Sequence, residues 1–238
     1  MTRGILKAMA GAGATVLLLS ACSGDGSESN GTDGDSGGGD PVASEMRSWE
    51  PCQILGDLQP IVDFMGIKEF TATVSGTDAP DSAGWGESTL DPEALVCGAG
   101  IDLGPIDNMP ANGTLSVKIV PLEDEAQAEE SYGLRVAASE GQGDVETARI
   151  DIGDPWDEGV LISSAKESGA TDYLNVVARD GQWVLHIDLD YTGDYNALQG
   201  NEPDYQFTKE ELQQWLIDTY LPEVNATVND NASEGAAS

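Results

Sequence analysis

The chain has 238 residues, with 43 acidic side chains against 10 basic ones, a single histidine and a formal net charge of −33. Nucleic-acid binding needs Lys and Arg clustered against phosphates, so this composition excludes nucleic acid as a partner. Apolar residues make up 39% of the chain, enough for a core; the acidity reads either as a solvated, self-repelling surface suited to a salty or extracellular setting or as attraction for a cationic partner, peptide or metal ion.

Arg3 and Lys7 are the only charges before Cys22, and an apolar run over residues 8–19 separates them from Ser20 and Ala21. A basic start, a short apolar stretch and small residues at the end predict a signal peptide over residues 1–21. The run is shorter than the roughly 20 apolar residues that cross a bilayer. Leu19-Ser20-Ala21-Cys22 resembles the lipobox of bacterial lipoproteins. That resemblance implies that Cys22 becomes the lipidated first residue of an extracytoplasmic protein anchored to the outer face of the cell membrane, the membrane being its first partner. From Cys22 to residue 47 the chain is dominated by Gly, Ser, Asp and Asn, which cannot offset the entropy of ordering, and reads as a disordered tether.

The folded domain is expected over residues 48–224. "PCQILGDLQPIVDFM" carries apolar residues at helical spacing, with Pro60 suited to open a second short helix. "EFTATVSG" reads as a strand, residues 76–91 as an exposed loop, and "EALVCGAGIDL" as a strand. "GTLSVKIVPL" alternates as a strand does, and "EDEAQAEESYGLRVAASE" is a helix with acids in its first turn. Three further strand segments follow, and Asp180-Gly181 between alternating runs predicts a hairpin. "TKEELQQWLIDTYLPEV" starts with Thr208 and Glu211 at capping-box spacing. Residues 225–238 read as a disordered tail. Antiparallel strands with helices on their faces give an α+β domain: one antiparallel β-sheet with flanking helices.

Cys52 and Cys97 remain once Cys22 is lipidated. Outside the cytoplasm such a pair reads as a disulfide that staples the first helix to the sheet. A redox pair or a thiol nucleophile are the other readings; the first lacks a C-x-x-C spacing and the second an evident histidine partner.

A lipobox, a low-complexity tether, the "PCQIL" opening, a second cysteine and the "GQWVLHI" hairpin before a last helix are together similar to a group of actinobacterial lipoproteins of unknown function. Related lipoproteins and sensor ectodomains resemble the PsbP and Mog1 fold, an antiparallel sheet between helices. The resemblance implies an envelope location and paired cysteines, and it brings no catalytic residues with it.

Chemistry is sparsely marked. In "WVLHIDLD" the alternation sets Trp183, Leu185, Ile187 and Leu189 on one face and His186, Asp188 and Asp190 on the other, which predicts a solvent-facing histidine. No nucleophile elbow, zinc-protease or phosphate-loop pattern occurs. Asp188, Asp190 and Asp194 follow the spacing of a calcium loop, with Gly193 at its sixth position, but the twelfth position is Gln199 instead of a bidentate glutamate. No cofactor is implied. The expectation is a non-enzymatic envelope lipoprotein that binds an envelope protein or cell-wall component. The alternatives are a small-ligand or cation binder and a cryptic hydrolase working through two carboxylates.

Overall fold

The computed structural model describes residues 40–71, 79–81, 94–106 and 109–235. The leader, Cys22, the tether as far as residue 39, most of the loop expected over 76–91, and residues 236–238 lie outside the described residues.

The folded unit begins earlier than residue 48. The Asp40 carboxylate accepts the backbone N–H groups of Val42 and Ala43 at 2.8 and 3.2 Å, which satisfies the start of helix α1 (Pro41–Met46). Pro41 loses nothing at the first helical position, and Ala43 and Met46, one turn apart, are fully buried. The tether therefore does not reach residue 47: two core residues inside a polar stretch suffice to dock it. Helix α2 (Pro51–Ile54), a 3₁₀ turn (Gly56–Leu58) and α3 (Gln59–Met65) follow, with Leu58, Ile61 and Met65 buried.

Among the described residues, seven antiparallel strands form one sheet, as the α+β reading requires: β1 (Glu69–Thr71), β2 (Leu95–Ile106), β3 (Met109–Pro121), β4 (Val145–Asp151), β5 (Glu158–Ala165), β6 (Thr171–Asp180) and β7 (Trp183–Thr192). Their order is β1-β2-β3-β7-β6-β5-β4, so two meanders meet at the β3–β7 ladder. Helix α4 (Glu125–Ser139) makes the crossover between them, its first turn capped by Asp124 through the Gln127 N–H at 2.8 Å. Asp180 and Gly181 turn β6 into β7, with Gly181 at φ 53°, a conformation open to glycine at little cost.

The main core lies on one face of the sheet. Leu115, Val117 and Ile119 of β3 and Leu185, Ile187 and Leu189 of β7 point into it, against Met46, Ile61, Leu212, Leu216 and Val228 of the helices. Cys52 on α2 is bonded to Cys97 on β2 with 4.9 Å between their Cα atoms, so the staple joins helix and sheet as expected. A smaller core of Val120, Ala128, Val160, Ile162, Val177 and Val184 lies between the opposite face and α4.

After β7 come α5 (Tyr195–Leu198) and α6 (Lys209–Trp215). The Thr208–Glu211 capping box is formed in both directions. A turn of π-helix (Leu216–Tyr220) leads into α7 (Leu221–Gly235). The tail expected from residue 225 is thus helical to Gly235. Val224, Val228 and Ala232 recur every fourth residue and are buried, and Asn225 and Asn229 both donate to Asp180 Oδ2, at 2.8 and 2.7 Å. Among the described residues, no helix is long and apolar enough to cross a membrane.

Candidate functional site

Two polar constellations stand out. The first surrounds the only histidine. Alternation along β7 does set His186, Asp188 and Asp190 on the face away from the main core, but α4 covers that face. His186 is 6% exposed, not solvent-facing. The covering stripe of α4 is Ala128, Ser131, Arg135 and Ser139, all buried.

Arg135 Nη1 donates to His186 Nδ1 at 3.0 Å, and His186 Nε2 lies 3.2 Å from Asp188 Oδ1. These partners assign a neutral imidazole whose Nε2–H donates to Asp188. Burial holds the imidazole below its ordinary pKa, with Lys118 and Arg135 acting in the same direction against Asp188. Burial alone would raise Asp188, but His186 and Lys118 outweigh it and hold the carboxyl well below the usual range. Lys118 Nζ donates to Asp188 Oδ2 at 2.7 Å. Burial also lowers the Arg135 guanidinium to about 10.

Ser139 Oγ completes the group, 3.5 Å from His186 Nε2. Serine, histidine and aspartate therefore meet, but not as a hydrolytic triad. That machinery needs the hydroxyl and the carboxylate on opposite ring nitrogens, so that one orients the ring while the other gives up its proton. Here both face Nε2, while Nδ1 faces a cation. Ser139 is 1% exposed, so substrate has no path to it. The arrangement is an internal polar clamp between α4 and the β3–β7 ladder.

The calcium pattern does not assemble. Asp188 is engaged by Lys118 and His186, and Asp190 Oδ1 accepts the Thr114 hydroxyl. Asp194 turns inward on the following loop: Oδ1 accepts the Ala197 N–H at 3.0 Å, and Oδ2 accepts those of Asp204 and Tyr205 at 2.8 and 3.2 Å. Strand alternation sets the first two on the α4 face, and the third is occupied by backbone donors. Among the described residues no three potential metal ligands converge.

The second constellation is concave. Where β7 leaves the sheet, the chain loops through α5 and returns at α6, enclosing a cavity of about 270 Å³. Asp172 and Tyr191, direct cross-strand partners on β6 and β7, form one side. Tyr205, Phe207, Thr208, Lys209 and Glu210 form the other. Gly193 allows the close turn, since a Cβ there would sit 2.0 Å from the Gly169 carbonyl oxygen. Asp194 holds the loop by its three backbone contacts, and Tyr205 donates its hydroxyl to the Thr192 carbonyl at 2.7 Å. Lys209 is paired with Asp172.

The walls are aromatic. Tyr205 and Phe207 stack at 5.2 Å and 3°, and Tyr191 meets them edge-on at 6.2 and 5.9 Å. Burial, and next the carboxylate of Asp172 for Tyr191 and of Asp194 for Tyr205, pushes both phenols far above their ordinary range, so both remain neutral. Tyr191 is 3% exposed and lines the cavity. The aromatic run continues past Phe207 to Phe64, which stacks on Trp215 at 4.4 Å beside the π-helical turn; a shallower groove opens there.

None of the pocket-lining aromatic side chains was singled out by sequence reasoning, although Tyr205 and Phe207 flank the capping box that was. No protein-family model, curated protein or solved structure matches this chain.

Proposed function

We propose that this protein is a lipid-anchored, extracytoplasmic lipoprotein whose stapled α+β domain is a non-enzymatic binding module, and that it captures a small ligand in the Tyr191–Tyr205–Phe207 pocket. One observation carries the reading: a cavity of about 270 Å³ walled by Tyr191, Tyr205 and Phe207. Ligand sites are concave and mostly apolar, with a few convergent polar groups, and Tyr191, Lys209 and Glu210 supply those here. The clamp around His186 supports a binding role over histidine-based hydrolysis, because the one histidine is committed to structure. The Leu19–Cys22 pattern supports the anchor. The resemblance to actinobacterial lipoproteins, with their PsbP- and Mog1-like relatives, belongs to the same proposal.

A second reading, an envelope protein or cell-wall component as partner, rests on the groove beside Phe64 and Trp215. It is the weaker one: Leu134 and Val145 are the large apolar side chains left exposed among the described residues. A protein-docking face needs a contiguous apolar patch of several hundred Å².

The test is the melting temperature of the purified full chain against small amines, sugars and wall fragments at fixed ionic strength. A ligand at 100 times its dissociation constant stabilises by about 2.7 kcal/mol. The shift should disappear in Ala197→Trp, where an indole fills the cavity from the exposed side of α5. A shift that survives this substitution, or none with any small molecule, overturns the pocket reading. Replacing Cys22 with Ala should release the protein from membranes, and unchanged retention would remove the anchor.

A further inference from the structure

The chemistry of the pocket narrows its ligand beyond size. Its ionisable lining is Asp172, Asp194, Lys209 and Glu210. Lys209 and Asp172 neutralise each other, and Asp194 is occupied by three backbone N–H groups. Glu210 is left at the mouth as a carboxylate with no partner among the described residues. The hydroxyl of Thr208 is closed into the capping box with Glu211. What the cavity offers a guest is therefore the half-buried Tyr205 ring, the small exposed parts of Tyr191 and Phe207, and one negative rim.

Several guests fail on these terms. A divalent metal ion needs several oxygen ligands converging on one point, and no such group exists among the described residues. A sugar needs many free donors and acceptors, and the lining keeps few. An anion would meet Glu210, unopposed, in a protein that carries −33. A soft organic cation is favoured by each term. Ring faces attract a poorly hydrated ammonium, most strongly where water is excluded. The carboxylate at the mouth adds attraction, and the field of the whole protein raises local cation concentration. Ligand pockets usually run about 300–1,000 Å³, so a 270 Å³ cavity takes a short molecule.

We infer that the Tyr191–Tyr205–Phe207 pocket binds a small organic ammonium ion, its alkylated nitrogen against the rings and its charge facing Glu210. This rests on the pocket reading above and adds the ligand class to it.

The experiment is calorimetric titration of the purified full chain with choline and with 3,3-dimethylbutan-1-ol, which has the same shape and no charge. Choline should bind about tenfold or more tightly than its neutral isostere, the difference that cation–π attraction and the rim charge supply. Glu210→Gln, a change at an exposed and unpartnered side chain, should weaken choline several-fold and leave the isostere unchanged. Ala197→Trp should abolish both. Equal binding of the two probes overturns the cation inference while leaving a ligand pocket in place. Choline binding that persists in Ala197→Trp puts the site elsewhere and overturns it as well. If neither probe binds while a neutral compound of the panel does, the pocket stands and the ligand class is wrong.

Discussion

Lys118 Nζ lies 2.7 Å from Asp188 Oδ2, diagonally across the β3–β7 ladder that joins the two halves of the sheet. The same carboxylate faces His186 through its other oxygen, so a single side chain serves both strand pairing and the docking of α4.

Removing that charge should be costly. Asp188→Asn leaves the Lys118 ammonium without its counter-ion in a mostly buried setting, and we expect a loss of about 2–3 kcal/mol. Lys118→Met should cost less, because Asp188 keeps His186. Urea midpoints at constant m-value measure both; a loss under about 0.5 kcal/mol for Asp188→Asn would mean that the pair adds nothing.

The buried imidazole makes stability depend on pH in a defined direction. Its folded pKa is lowered from 6.5. Below 6.5 the unfolded chain takes up a proton that the folded chain refuses, so stability fully present above 6.5 declines as pH falls. From pH 7.5 to 5.5 the wild type should lose up to about 1.4 kcal/mol more than His186→Gln, while the many carboxylates act alike in both. Parallel pH profiles would show that the imidazole titrates as freely folded as unfolded.

Ending the chain at Val224 should destabilise it although the removed segment is polar. It removes the fully buried Val228 and both amides that hold Asp180 at the β6–β7 turn. The expected cost is at least about 2 kcal/mol in urea denaturation. An unchanged midpoint would show α7 to be dispensable beyond Val224.

Opening the Cys52–Cys97 bond releases a constraint between residues 45 apart. The chain-entropy relation gives about 4 kcal/mol for a loop of this length, so Cys52→Ala/Cys97→Ala should melt well below the oxidised protein. Equal melting temperatures would mean that the unfolded chain is already compact over this loop.

The sheet was legible because its signals are local. Alternation along β3 and β7, the Asp180-Gly181 turn and the Thr208–Glu211 box each describe their own element. The errors share another cause. Alternation set His186 correctly on the second face of β7, but whether anything covers that face is decided by α4. The buried stripe of that helix is Ala, Ser, Arg and Ser, which hydropathy reads as an exposed surface. Val224, Val228 and Ala232 did carry a four-residue period, diluted among asparagines and acids. The pocket was illegible for a different reason. Its walls come from β6, β7, the loop before α6 and α6 itself, and only the tertiary turn at Gly193 brings them together.

The order of the strands has a consequence for the growing chain. Among the described residues the finished sheet is bounded by β1 and by β4, whose outward Glu146, Arg149 and Asp151 discourage another strand from adding to it. The long strand β3 pairs with β2 along one edge, but its other edge is covered by β7, which is made after α4 and three other strands. As the chain emerges from its N-terminus, β3 must wait as an open, sticky edge, and self-association at that stage is the hazard this topology carries.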